Sequence, residues 1–193
     1  DTSVAGMHVA SRLTDKYYLK TASTAIEIQS SIAFLSPAFD SMSGVFVGND
    51  PAAKLNSDTA SNNHVAHAFR RAPGFFDVVA YEGTGTAQAI DHNLGVVPEM
   101  IIVKNRDATG SWLVYHAGVS ADPETDYLVL SGNNAVADIN TAWNDTAPTA
   151  TEFTVGTSTS ANGSGNSCIA YLFATLPGVS KVGSYTGTGA DLN

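Results

Sequence analysis

The sequence predicts an all-β fold, built as antiparallel β-sandwich modules in tandem. Three observations lead there. Seven short runs rich in Val, Ile, Phe, Tyr and Thr lie between clusters of Gly, Asn, Asp and Pro. No window of helical length carries a 3.6-residue apolar period. A stretch near residue 73 recurs, without a gap, near residue 177.

In chain order, the predicted strands of the complete module are Phe76–Tyr81, Ala87–Ile90, Met100–Asn105, Trp112–His116, Tyr127–Leu130, Phe153–Gly156 and Cys168–Ala174. Seven such strands with turn signals between them suit a sandwich. In Glu152-Phe153-Thr154-Val155, Phe and Val share one face, and Glu and Thr the other. The last strand differs. Ile169, Tyr171 and Phe173 point one way, Cys168, Ala170 and Leu172 the other, so both faces are apolar. Such a strand is central, or meets a neighbour on its second face. Between residues 134 and 144 the spacing of Ala135, Ile139 and Trp143 allows one helical turn. The stretches 49–63 and 138–149 read as polar loops.

The repeat aligns AHAFRRAPGFFDVVAYEGTG, at 66–85, with AYLFATLPGVSKVGSYTGTG, at 170–189. Phe69/Phe173, Pro73/Pro177, Gly74/Gly178, Val78/Val182 and Tyr81/Tyr185 are each 104 positions apart, as are the Gly-Thr-Gly triplets. Upstream, Asn62 faces Asn166. Weaker echoes place Tyr18-Leu19 opposite Tyr127-Leu128 and Val47-Gly48 opposite Val155-Gly156, at offsets of 109 and 108. The loop after Gly48 is then four residues longer than the one after Gly156, a change that surface loops tolerate. Residues 1–72 read as the later part of a first, divergent module, 73–176 as a complete module and 177–193 as the opening strand of a following one. Each Pro-Gly pair marks a joint, since proline before a strand removes no ladder donor. Two divergent halves of one domain is the other organisation this repeat permits. Residues 182–189 are expected to pair with a sheet edge, of this or another chain.

Composition narrows the function. Only 14% of the 193 residues are charged, while 44% are hydrophobic, so Ser, Thr, Asn and Gly must cover the surface. The net charge of −9 disfavours nucleic-acid binding, which needs clustered Lys and Arg, and disfavours an anionic membrane surface. The densest apolar run, Met100 to Val103, stops at Lys104, so membrane insertion is not expected. The opening residues lack the basic and apolar regions of a signal peptide, and the chain reads as an excerpt. A single cysteine, Cys168, excludes an intramolecular disulfide.

No catalytic, cofactor or metal residues emerge. His64 and His67, three apart on a strand, face opposite sides, and His67 takes the place of Tyr171 in the repeat. His92 lies in an Asp-His-Asn-Leu-Gly turn and His116 ends a strand. The Gly-Thr-Gly-Thr at 83–86 lacks the lysine and helix of a phosphate loop, and its glycines suit a turn. The Asn162-Gly163 dipeptide suits a tight turn. The scattered acids include Asp77, which Lys181 replaces in the repeat. Trp112, Tyr115 and Trp143 are aromatics able to stack on a sugar ring, or to fill a core. Trp112 and Trp143 are the glycan candidates.

Tyr81 to Gly85, His92 to Gly95, Val97-Pro98, Ile101 to Lys104, Trp112, Asn162 to Gly165, Phe173 and Pro177-Gly178 form a recurring pattern of turns and strands. Over about residues 60–190 that pattern resembles a repeat of tail-fibre-like structural proteins of tailed bacteriophages, notably phages of marine and other environmental bacteria. Residues 1–60 depart from it around the Trp strand. The resemblance implies a building block of a virion fibre, located in the phage particle, homotrimeric by analogy, and bound to itself and to other virion proteins. Its role would be to space or support host recognition. A glycan- or receptor-binding module of the fibre, a capsid decoration or head-fibre protein, and a polysaccharide depolymerase are the alternatives.

Overall fold

A computed structural model describes residues 7–14, 16–29 and 65–189. The His64 assignment, the Asn62/Asn166 match, the Val47-Gly48 echo and the 49–63 loop lie outside these residues.

Three short strands come first: β1 (His8–Val9), β2 (Tyr17–Lys20) and β3 (Ile28–Gln29), with a single 3₁₀ turn at Arg12–Thr14. They form an antiparallel sheet in the order β1-β2-β3. After residue 65 come β4 (Phe76–Glu82), β5 (Gln88–Asp91), β6 (Met100–Asn105), β7 (Leu113–His116), β8 (Asp126–Val129) and β9 (Ala137–Asp138). A one-turn helix α1 (Asn140–Trp143), strand β10 (Glu152–Val155), a second one-turn helix α2 (Thr159–Asn162) and strand β11 (Ser167–Phe173) complete the described chain. The protein is thus mainly antiparallel β, with few helical residues. The seven expected strands are β4 to β8, β10 and β11, each displaced by no more than a residue or so at its ends. The helical turn expected between 134 and 144 is α1. Two elements were not expected. Strand β9 is only two residues long. Helix α2 takes Asn162 as its last residue, and Gly163 follows with φ −59°, so Asn162-Gly163 is a helix end and not a hairpin turn.

The large sheet runs β4-β11-β6-β7-β8-β9, and β5 pairs with β10 in a second, two-stranded sheet. Strand β11 is flanked along its length by β4 and β6. Its side chains alternate, so each face needs its own cover. Ala170 and Leu172 enter an inner core with Ile101 and Val103 of β6, Leu113 and Tyr115 of β7, Ile90 of β5 and Phe153 and Val155 of β10. Ile169 and Tyr171 enter an outer core with Phe76 and Val78 of β4, with Trp112, and with Leu19 of β2. The second apolar face of the last strand therefore finds its neighbour within the same chain, in the segment 7–29.

The β1-β2-β3 sheet repeats the registers of β7-β8-β9. Tyr17 pairs with Gln29 and Tyr18 with Ile28, while Asp126 pairs with Asp138 and Tyr127 with Ala137, all displaced by 109 positions. His8 pairs with Lys20 and Val9 with Leu19, as Leu113 pairs with Val129 and Val114 with Leu128, across a connection four residues shorter. The joints match as well. An antiparallel bridge links Ala72 to Phe76, and another links Leu176 to Ser180, 104 positions on. Gly74 and Gly178 both stand at positive φ, +74° and +79°, which turns the chain where a side chain would be strained. Residues 182–189 join no strand ladder among the described residues, and all but Val182 are exposed.

Leu19 is fully buried, and it is the deepest apolar anchor that segment 7–29 places on the large sheet. Leu19→Ala is expected to lower the unfolding free energy by about 3 kcal/mol, the typical cost of such a cavity. Urea denaturation measures this, and cleavage within 7–29 under limited proteolysis should accelerate in parallel.

Candidate functional site

A cluster of polar contacts closes the junction between segment 7–29 and the outer face of the large sheet. Trp112 precedes β7 on that outer face. Its indole is 1% exposed, lies 6.4 Å from the ring of Tyr171 in a near-parallel stack, and donates its N–H to the carbonyls of Lys20 (3.0 Å) and Ser23 (3.1 Å). The Tyr171 hydroxyl is buried, has no hydrogen-bond partner among the described residues, and burial pushes its pKa well up.

Lys104 is the next outward residue of β6 after Ile102. Its side chain is fully buried. The ammonium donates to the carbonyls of Asn105 (2.7 Å) and Thr24 (3.3 Å), with Ala108 at 3.5 Å. Burial is the main influence on its pKa and lowers it to about 8, with Cys168 pulling weakly the other way. The Cys168 thiol is pushed up to about 11, chiefly by its own burial, so it stays protonated and unreactive at neutral pH. Beside Lys104, the Arg106 guanidinium forks onto the Glu27 carboxylate, with Nε–Oε2 2.8 Å and Nη2–Oε1 3.1 Å. Such two-point pairs fix orientation as well as charge. The backbone closes the same junction, because Glu27 N–H donates to Arg106 O and Gly110 N–H donates to Thr24 O, both at 2.9 Å.

Trp143, in α1, is the second aromatic candidate. Its indole is 2% exposed, meets Tyr115 edge-on at 6.0 Å and donates to Asp126 O at 2.9 Å. The structure therefore corrects the glycan assignment of Trp112 and Trp143. Both rings lie in cores, both N–H groups are spent on backbone carbonyls, and neither offers a face to a sugar. The hydroxyl-lined depression on the surface lies elsewhere, among Ser111, Tyr127, Asn134, Thr141, Ser158 and Ser160.

Other polar groups hold loops. Asn162 is fully buried and satisfies its whole amide. Its Oδ1 accepts from Thr84 N and from Gln88 Nε2, both at 2.8 Å, and its Nδ2 donates to Thr86 O and Gly156 O, both at 2.6 Å. The Gly-Thr-Gly-Thr loop is thus folded onto the end of α2. A Cβ on Gly83 would stand 2.2 Å from Gly163 O, so only glycine permits the approach. The buried Asp77 accepts from Arg71 Nε, Val78 N and Asn93 N, and so ties the His92 turn to the start of β4. The His92 ring accepts from Leu94 N at Nδ1 and meets Thr149 O at Nε2, while burial lowers its pKa, so it is neutral at pH 7. His67 is exposed and His116 accepts from Gly118 N. Among the described residues no three His, Cys, Asp or Glu side chains gather as a metal site, and no helix is long and apolar enough to cross a membrane.

Sequence reasoning missed Lys104, Arg106 and Glu27 as junction residues. The signal for Lys104 was present, as a charged residue on a strand whose neighbours are apolar. Its partners are carbonyls, which no side-chain pattern reveals.

The fold and the junction define a β-rich module whose conspicuous polar chemistry serves packing between chain segments. The chain belongs to the family described as a domain of unknown function (DUF7483), whose model matches residues 74–193. The match starts at Gly74, inside the first Pro-Gly joint. Neither the curated proteins nor the solved structures yield a match.

Asn162→Ala removes four hydrogen bonds and leaves the Thr84 N–H and the Gly156 carbonyl without the partner they have in the native fold. It is expected to cost about 3 kcal/mol or more in calorimetric or urea unfolding, whereas Asn144→Ala at an exposed helix end should stay within about 1 kcal/mol. Lys104 gives a pH signature. Its folded pKa is below its unfolded value, so between pH 8 and 10.5 the unfolded chain holds a proton that the folded one has lost. Stability from this group therefore rises with pH across that window and is flat below it. Comparing urea midpoints at pH 7.5 and pH 10, the native protein should gain about 2 kcal/mol relative to Lys104→Met.

Proposed function

We propose that the chain is a structural part of a bacteriophage virion fibre, a tail fibre or tail-associated protein, that spaces or supports host recognition. In this reading β-sandwich modules follow one another: 1–72 closes one, 73–176 is complete and 177–193 opens the next. One observation carries the proposal. Segment 7–29 has the strand registers of β7-β8-β9 and is locked onto the outer sheet face by the Trp112, Lys104 and Arg106 junction. A repeat whose end packs rigidly on its successor builds a stiff array, and stiffness is what a spacer needs. The low charge agrees, since such modules cover much of one another. The partners are other copies of the chain, as a homotrimer, and neighbouring virion proteins.

A glycan-binding role is the second reading. The depression between Tyr127, Asn134 and the hydroxyls of Ser111, Thr141, Ser158 and Ser160 favours it, because sugars are bound by hydroxyl and amide groups beside an aromatic ring.

Antibody labelling of purified particles under the electron microscope tests the first reading. Label is expected along a fibre, between the particle body and the fibre tip. Label on the capsid moves the protein to a head fibre, and particles without label sink the proposal. Binding of the chain to host-surface glycans, lost in Tyr127→Ala, would establish the second reading.

A further inference from the structure

Strand β4 pairs with β11, and the repeat contains one more copy of each. The β11 counterpart includes residues 65–69, and the β4 counterpart is 180–186. Neither belongs to a ladder among the described residues, and both are largely exposed, with Val65 83% and Tyr185 84% open to solvent. Tyr185 stands where Tyr81 is half-buried and donates its hydroxyl to Ala161 O. Within one chain each segment makes contacts of its own with other residues. Phe69 packs on Phe75, Phe76 and Phe173. Val182 N–H is tied to the Thr175 hydroxyl at 3.0 Å, and Ser184 lies against Gly118.

We propose that a second copy of this chain lays its residues 180–186 antiparallel beside residues 65–69, in the register of β4 on β11. The inference rests on the tandem-module reading and names its interface. Shifting the β11–β4 pairs by the repeat places Phe69 opposite Ser180, His67 opposite Val182 and Val65 opposite Ser184. An open strand edge is a template for such pairing, and backbone hydrogen bonds supply its affinity. The donating and accepting segments are different, so the contact is head-to-tail and propagates into chains or closes into rings.

Cysteine cross-linking reads the register directly, because Cys168 is buried and does not compete. The variants Val65→Cys and Ser184→Cys, each folded by circular dichroism, are mixed and oxidised. A covalent dimer of one of each is expected, at about ten-fold the yield of Val65→Cys with Lys181→Cys, whose register is wrong. A chain ending after Lys181 should lose the concentration-dependent association that sedimentation velocity detects in the full chain. Equal yields for the two pairs, or a full chain that stays monomeric at all concentrations, overturns the proposal. So does a bond formed within one molecule of the Val65→Cys/Ser184→Cys double variant. A chain that cross-links in register but is absent from particles keeps this interface and removes the fibre reading. A chain found in fibres that does not cross-link does the reverse.

Discussion

The fold depends on one constraint: β11 is apolar on both faces, so water must be excluded from both. Backbone pairing to β4 and β6 closes its edges, and the two faces then require two separate covers. The inner cover is built by β5, β10 and the short helices, which arrive by ordinary hairpin-scale connections. The outer cover comes from residues at least ninety positions away, where Leu19 completes the cluster of Ile169, Tyr171 and Trp112. Fully burying each such side chain is worth about 2 kcal/mol, so an uncovered outer face would be a large exposed liability.

Covering that face brings polar groups with it. The segment 7–29 presents the backbone carbonyls of Lys20, the last residue of β2, and of Ser23 and Thr24 just beyond it. A buried carbonyl left alone is costly, and the large sheet answers with three donors: the Trp112 indole, the Lys104 ammonium and the Gly110 amide. Among the described residues the lysine ammonium meets carbonyls, and burial depresses its pKa. The Arg106–Glu27 fork at the edge of the junction fixes how the two pieces are turned. The result is a contact that is specific in orientation as well as apolar.

The glycine motifs belong to the same logic on the inner side. Gly-Thr-Gly-Thr and Asn-Gly-Ser-Gly, far apart in sequence, are each other's partners. Asn162 bonds Thr84 N–H and Thr86 O across them, and Gly83 lets the two backbones touch. Motifs that resemble a phosphate loop and a tight turn when read singly are here the two halves of one clasp.

Much was legible in the residues themselves. Alternation and turn chemistry located the seven main strands, since a strand's burial pattern is written at a period of two. The Pro-Gly and Tyr-Leu echoes located the repeat, and the strand registers 109 positions apart agree with it. The two-sided hydrophobicity of Cys168–Ala174 announced that something must cover the second face. What covers it was decided only in three dimensions. Whether Trp112 and Trp143 face solvent or core depends on a neighbour that local sequence does not name, and both turned out to be capped by backbone carbonyls of distant segments. The same holds for Lys104 and Asn162. Their partners are main-chain atoms, identical at every position of a sequence and distinguished only by where the fold brings them.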